Sequence, residues 1–168
     1  MKKLALLTLA AMPLTFAWAE SAGRFGDAGT LSPSGTIAGA YATNTPSHEA
    51  SILFAPTLFY FVLDGFAVGG GVGFLYSKNP DGSIMTSYSV APAIGYNLHL
   101  SNRFSLFPNA RLGFSWYTGA GLLNNTSSQL LIEAPLLAHF GNFFVGAGPY
   151  LGPPAATLGF TTVTGGWF

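Results

Sequence analysis

Large apolar side chains recur at every second position along most of this chain. Phe66, Val68, Val72, Phe74 and Tyr76 share one face, and Ala67, Gly69, Gly71, Gly73 and Ser77 share the other. Tyr88, Val90, Ile94, Tyr96 and Leu98 likewise oppose Ser87, Ser89, Ala91, Ala93, Gly95 and Asn97. Leu106, Leu112, Phe114 and Trp116 oppose Asn109, Arg111, Gly113, Ser115 and Tyr117. A period of two is the period of a β-strand. In a soluble two-sheet sandwich the second face would meet water and carry Lys, Glu and Asp. Here it is mostly Gly, Ala and Ser, and only 7% of the chain is charged, against about a quarter in an ordinary soluble domain. After the N-terminal segment no run approaches the ~18 apolar residues of a spanning helix. A closed β-barrel, apolar outside and small-residue inside, is the other structure that satisfies its backbone in lipid.

The pattern predicts an all-β chain of eight strands, near Gly35–Thr43, Ser51–Val62, Phe66–Ser77, Thr86–His99, Phe104–Thr118, Gln129–Phe140, Phe143–Gly152 and Ala156–Phe168. Tight turns at Leu63-Asp64-Gly65, at Leu100 to Arg103 and at Gly141-Asn142 alternate with longer polar connections. These run over Asn44–Ala50, Lys78–Met85 and Gly119–Ser128, with Pro153-Pro154 in the last and shortest. Short turns at one end and longer loops at the other describe an antiparallel up-and-down transmembrane barrel, with both termini on the short-turn, periplasmic side. Tyr60, Tyr96, Phe104, Phe140 and Phe168 fall near the short turns, and Tyr76, Tyr88 and Trp116 near the long loops. Two aromatic girdles are expected where rings settle at headgroup level. Pro56, Pro92, Pro108, Pro135 and Pro149 lie within strands, and local bulges are expected there because proline cannot donate to a ladder.

The start of the chain reads as a cleaved signal peptide over residues 1–19: Lys2-Lys3, an apolar run from Leu4 to Phe16, then Ala17-Trp18-Ala19. Residues 20–33 read as a periplasmic lead-in with little structure of its own, and 34–168 as the barrel. Cleavage would remove two of the six basic residues and leave a net charge of −2. Arg24, Lys78, Arg103 and Arg111 do not cluster, so no nucleic-acid partner is expected. The chain has no cysteine, which excludes disulfides and thiolate metal sites.

Within the strands only Arg111 and Glu133 are charged. Both share the small-residue, inward parity on neighbouring strands, at comparable depth from their shared loop. They are expected to form a luminal charge pair, structural because an eight-stranded interior is just wide enough for side chains to fill. A gate or ion-binding site is the functional alternative. Gly69-Gly70-Gly71-Val72-Gly73 lacks the Lys-Ser/Thr and the helix of a phosphate loop. His48 and His139 read as isolated, the first in a loop and the second at a strand end near the headgroups. No cofactor or metal is expected, since no three ligands converge.

The segments Phe54-Ala55-Pro56 through Tyr60-Phe61-Val62, Gly95-Tyr96-Asn97-Leu98 with Leu100-Ser101, and the closing Gly165-Gly166-Trp167-Phe168 resemble small bacterial outer-membrane β-barrel proteins of the OmpA/OmpX-like eight-stranded type. The resemblance implies an integral outer-membrane location, outer-membrane lipid and the barrel-insertion machinery as partners, and a monomer. It also implies Phe168 as the assembly signal read by that machinery. His99, Ser101 and Asn102 resemble the His-Ser part of outer-membrane lipid A deacylases, but the nearest following acid, Glu133, lies two strands away. Without an orienting third group near the histidine, a catalytic triad is not assembled, and turn chemistry accounts for Ser101-Asn102. The expected function is therefore non-enzymatic, an envelope-structural or surface-interaction role. The alternatives are a narrow pore or small-solute carrier, and then an outer-membrane lipid-modifying enzyme.

Overall fold

A computed structural model of the chain describes residues 23–44, 47–79, 81–119, 122–152 and 157–168, with the side chains of 36–49, 122–124 and 157 left aside. The expected signal peptide, Pro153-Pro154 and the side chain of His48 lie outside the described residues. Eleven strand segments form one antiparallel sheet: β1 Leu31–Asn44, β2 Ser47–Leu63, β3 Phe66–Lys78, β4 Ile84–Tyr96, β5 Leu98–His99, β6 Phe104–Leu106, β7 Asn109–Gly119, β8 Leu122–Glu133, β9 Leu136–Phe140, β10 Phe143–Gly152 and β11 Thr157–Gly166. β4 with β5, β6 with β7, and β8 with β9 are continuous staves in one register, so there are eight staves. β11 pairs with both β10 and β1, which closes the sheet into an eight-stranded barrel. No helix long and apolar enough to cross a membrane occurs among the described residues.

The seam is closed near the terminus. Leu31 and Phe168 exchange backbone bonds at 2.8 and 3.0 Å, and Ser34 and Gly35 pair with Gly165 and Thr164. Deleting Phe168 removes both bonds of the lowest rung, about 2 kcal/mol at ~1 kcal/mol each. Folding yield into lipid vesicles, read by heat-modifiable gel mobility, should fall for the truncated chain. An unchanged yield would show that this rung is dispensable.

Parity holds around the ring. Ile52, Phe54, Leu58, Tyr60, Val72, Tyr88, Ile94, Leu112 and Trp116 point outward and are exposed. Phe59, Phe61, Ala67, Ala93, Phe107, Leu137 and Phe144 point inward and form the core. Small inner residues make room for these rings. A Cβ on Gly95 would stand 2.6 Å from the Phe107 ring.

Three features differ from the sequence reading. The staves extend beyond the expected strands, so that Ser47–Ala50 and Leu122–Ser128 belong to β2 and β8 rather than to loops. Hairpin ladders continue past the apolar band because backbone pairing is indifferent to polar side chains.

The in-strand prolines produce no bulges. Register is unchanged across Pro56 and Pro92, and it continues across the breaks at Pro108 and Pro135. Register shifts lie instead between Phe61 and Leu63 and between Tyr117 and Gly119. Each proline loses only its N–H, while its carbonyl still accepts. Tyr96 N–H donates to Pro108, Phe107 N–H to Pro135 and Ala134 N–H to Pro149, at 2.9, 3.0 and 3.1 Å. The donor that Pro135 cannot supply to the Phe107 carbonyl comes from the Asn109 side-chain amide at 3.2 Å.

The described part of the lead-in is ordered. Residues 23–30 fold into turns under the barrel, and β1 begins at Leu31. Gly65 N–H donates to the Gly26 carbonyl at 2.7 Å, and Ala28 N–H donates to Asp64 Oδ1 at 2.9 Å. This fastens the segment to the β2–β3 turn.

Candidate functional site

The short-turn end of the lumen is blocked by aromatic rings. Phe25 enters from the lead-in and is 3% exposed. Its ring lies 5.1–5.7 Å from those of Phe61, Phe107, His139, Phe144 and Trp167. Phe59 extends the layer through Phe107. Two hydrogen bonds hold the segment in place: Asn97 Nδ2 donates to the Phe25 carbonyl at 2.8 Å, and Trp167 Nε1 donates to the Gly23 carbonyl at 3.2 Å. Phe25 was not legible as a luminal residue, because a lone Phe in a Gly-rich polar stretch has no periodicity.

Histidine placement corrects the sequence reading. His139 is not isolated. It points into the floor, where its Nε2 shares a hydrogen with Ser105 Oγ at 2.7 Å. The pairing joins staves 34 residues apart in sequence. Ser105 is fully buried beneath the plug. His139 Nδ1 has no partner among the described residues, so none of them orients the ring as a nucleophile's base requires. His99 Nε2 lies 3.2 Å from Asn97 Nδ2. Ser101 Oγ instead accepts from the N–H groups of Arg103 and Phe104 at 3.2 Å each, as a turn residue does. His99 and Ser101 thus engage different partners.

Above the floor the structure brings the two strand charges together. Arg111 Nη2 lies 2.6 Å from Glu133 Oε2. The contact is diagonal, since Arg111 faces Leu131 and Glu133 faces Asn109 across the ladder. Arg111 Nε also donates to Asn109 Oδ1 at 3.1 Å, and Nη1 donates to Thr57 Oγ1 at 3.4 Å. Among the described residues it is the ion pair of the lumen.

These groups face a cavity of about 100 Å³. Phe25, Phe59, Phe107, Leu137 and Phe144 form its base, and Ser32, Ser34, Thr57, Asn109, Arg111 and Glu133 its polar wall. Below the ion pair Phe59, Phe61, Ala67, Asn97, Phe107, Leu137 and Phe144 are buried. Above it Ser89, Ala91, Gly113, Ser115 and Tyr117 are only partly buried, while Ser87 is buried. Among the described residues the lumen is thus filled at the short-turn end and less densely filled towards the long loops. Tyr117 stands near the long-loop rim, accepting from Ser127 Oγ at 3.5 Å, and is not part of the floor. In the outer loop, the Ser83 hydroxyl and then its backbone N–H hold the Asp81 carboxyl below the usual carboxylate range. No three metal-ligating side chains converge among the described residues.

Comparison with protein families, with curated proteins and with solved structures finds no match to this chain.

Proposed function

We propose that the chain is an integral outer-membrane β-barrel of the OmpA/OmpX-like type, exported through a signal peptide, with a non-enzymatic role in envelope structure or surface interaction. The observation that carries this reading is the outer face of the closed ring. Ile52, Val72, Tyr88, Ile94, Leu112 and Phe160 stand exposed around the circumference, where water would penalise them and lipid would not. A closed ring leaves few unpaired backbone groups, the condition for immersion in hydrocarbon. The aromatic floor supports a filled short-turn end over a continuous pore. The long-loop end is the surface such a barrel presents outward.

Cell fractionation with heat-modifiable mobility tests the location. The protein should sediment with the outer membrane and migrate differently when unboiled. Recovery in the soluble periplasmic fraction would overturn the reading.

The face assignment has its own test. Leu112 is 44% exposed on the outer face, and Ser115 points into the lumen near the rim. Leu112→Arg should cost about 2–4 kcal/mol of folding free energy in lipid vesicles, and Ser115→Arg well under half of that. The reverse ranking would place the fifth stave's faces the other way round.

A further inference from the structure

The aromatic stopper in the barrel floor is held by histidines in their neutral form. Asn97 Nδ2 lies 2.8 Å from the Phe25 carbonyl and 3.2 Å from His99 Nε2. A carbonyl only accepts, so the amide nitrogen faces it, and His99 Nε2 must then accept the second amide hydrogen. That requires an uncharged imidazole with its hydrogen on Nδ1. A proton added at Nε2 sets donor against donor. Turning the amide would give that proton an acceptor, but would set Asn97 Oδ1 against the Phe25 carbonyl. With His99 charged, no setting of the amide serves both neighbours.

His139 imposes the same condition on the Phe25 ring. Its own ring lies 5.2 Å from that of Phe25 and 5.2 Å from that of Trp167. Its Nε2 is engaged with Ser105 Oγ, while Nδ1 is buried without a partner among the described residues. An imidazolium donates from both nitrogens. The ring faces attract a cation, but they give Nδ1–H no acceptor, and a charged His99 repels it. Asn97 Oδ1 is likewise buried without a partner among the described residues. Both atoms gain hydrogen bonds to water if Phe25 withdraws. The other charged groups on the elements around the pair are committed elsewhere or stand apart. Asp27 and Asp64 accept the Arg24 and Ala28 N–H groups, the Phe168 carboxyl accepts from Leu31, and Glu133 holds Arg111. Arg24 and Arg103 are exposed. No carboxylate pairs with either histidine among the described residues.

We propose that the Phe25 segment is a proton-released latch: it seals the short-turn end while His99 and His139 are neutral, and protonation of the pair frees it. The segment is the part that moves, because residues 23–30 form turns held by isolated hydrogen bonds, whereas both histidines sit in strand ladders. Local opening draws on such lightly bonded elements. Histidine changes charge between about pH 5 and 8. Each proton taken up on release raises the released-to-sealed ratio by up to about tenfold per pH unit of acidification. The latch concerns the floor alone and stands whether or not the barrel lies in a membrane.

Trp167 reads the seal, since its Nε1 donates to the Gly23 carbonyl and the residue is 6% exposed. The chain has three tryptophans, and Trp18→Phe with Trp116→Phe leaves Trp167 alone. The full chain carrying both changes is refolded into dodecylphosphocholine micelles, where both ends of the barrel meet solvent. Heat-modifiable mobility verifies the fold at each pH. Acrylamide quenching is measured from about pH 8 to 5 and expressed as the Stern–Volmer slope divided by the unquenched lifetime, so that direct quenching by an imidazolium does not enter. Quenching should be weak at the alkaline end and rise on acidification, the released-to-sealed ratio climbing by up to about a hundredfold per pH unit for two protons. His99→Gln should reduce that steepness to at most about tenfold per unit, and adding His139→Gln should remove the response. A flat profile in the chain with both histidines overturns the latch. So does an undiminished rise in the double variant. If the double variant does not fold, His99→Gln at its exposed position decides, and an unchanged steepness there overturns the proposal. Loss of the folded gel form on acidification also overturns it, because the whole barrel would then be giving way rather than the segment.

Discussion

Glu133→Ala should destabilise the barrel in lipid vesicles by about 3 kcal/mol, the low end of the cost of stranding a buried charge, and adding Arg111→Ala should recover part of that loss. The Glu133 side chain is 8% exposed and that of Arg111 22%. Removing the carboxylate leaves a guanidinium whose remaining partners, Asn109 and Thr57, are neutral. Its desolvation cost persists while the compensating charge is gone. Arg111 is partly exposed to water, which keeps the loss near the low end. Removing both charges takes away the penalty together with the attraction, so the double variant should lie between wild type and Glu133→Ala. Denaturant titration of the refolded proteins reads the order directly. A double variant less stable than Glu133→Ala would mean that the pair is not the structural element of the lumen.

Phe25→Ala should cost about 3–5 kcal/mol, the range for emptying a packed aromatic site. The Phe25 ring touches five others within 6 Å, and these come from different staves, so no single neighbour can close the hole. The control is Phe104→Ala, on the outer face at the same end and 46% exposed. Fluid lipid refills the space it vacates, so the cavity contribution disappears and the loss should be clearly smaller. Equal losses in vesicle refolding would show that the lead-in does not hold the floor together. Asn109 links the two layers, donating to the Phe107 carbonyl and accepting from Arg111, so the effects of Phe25→Ala and Glu133→Ala should depart from additivity.

The legible part of this fold is what a strand imposes locally. Successive side chains alternate, so once a segment is extended its composition alone sorts inside from outside. Leu112 and Trp116 outward and Phe59 and Phe61 inward follow from counting by twos. Hairpin connectivity carries Arg111 and Glu133 to the same depth, because each lies a countable number of residues from one loop. The rest depends on non-local geometry. The encounter of Ser105 with His139 is set by the register between staves whose alignment no local pattern specifies. Proline tolerance was illegible for a related reason. A lost donor looks like a broken ladder until the carbonyl partners, and the Asn109 amide that replaces one donor, are placed in space. Phe25 carries no periodic signal, and only the finished barrel, with a hole its size between Phe61, Phe144 and Trp167, gives it a destination. Eight antiparallel staves, their two faces and the inward Arg111–Glu133 pair are readable from the chain because they follow from a repeat of two and from connectivity. The aromatic floor and the cavity above it belong to the closed ring alone, because residues of the lead-in and of staves distant in sequence meet there at one depth.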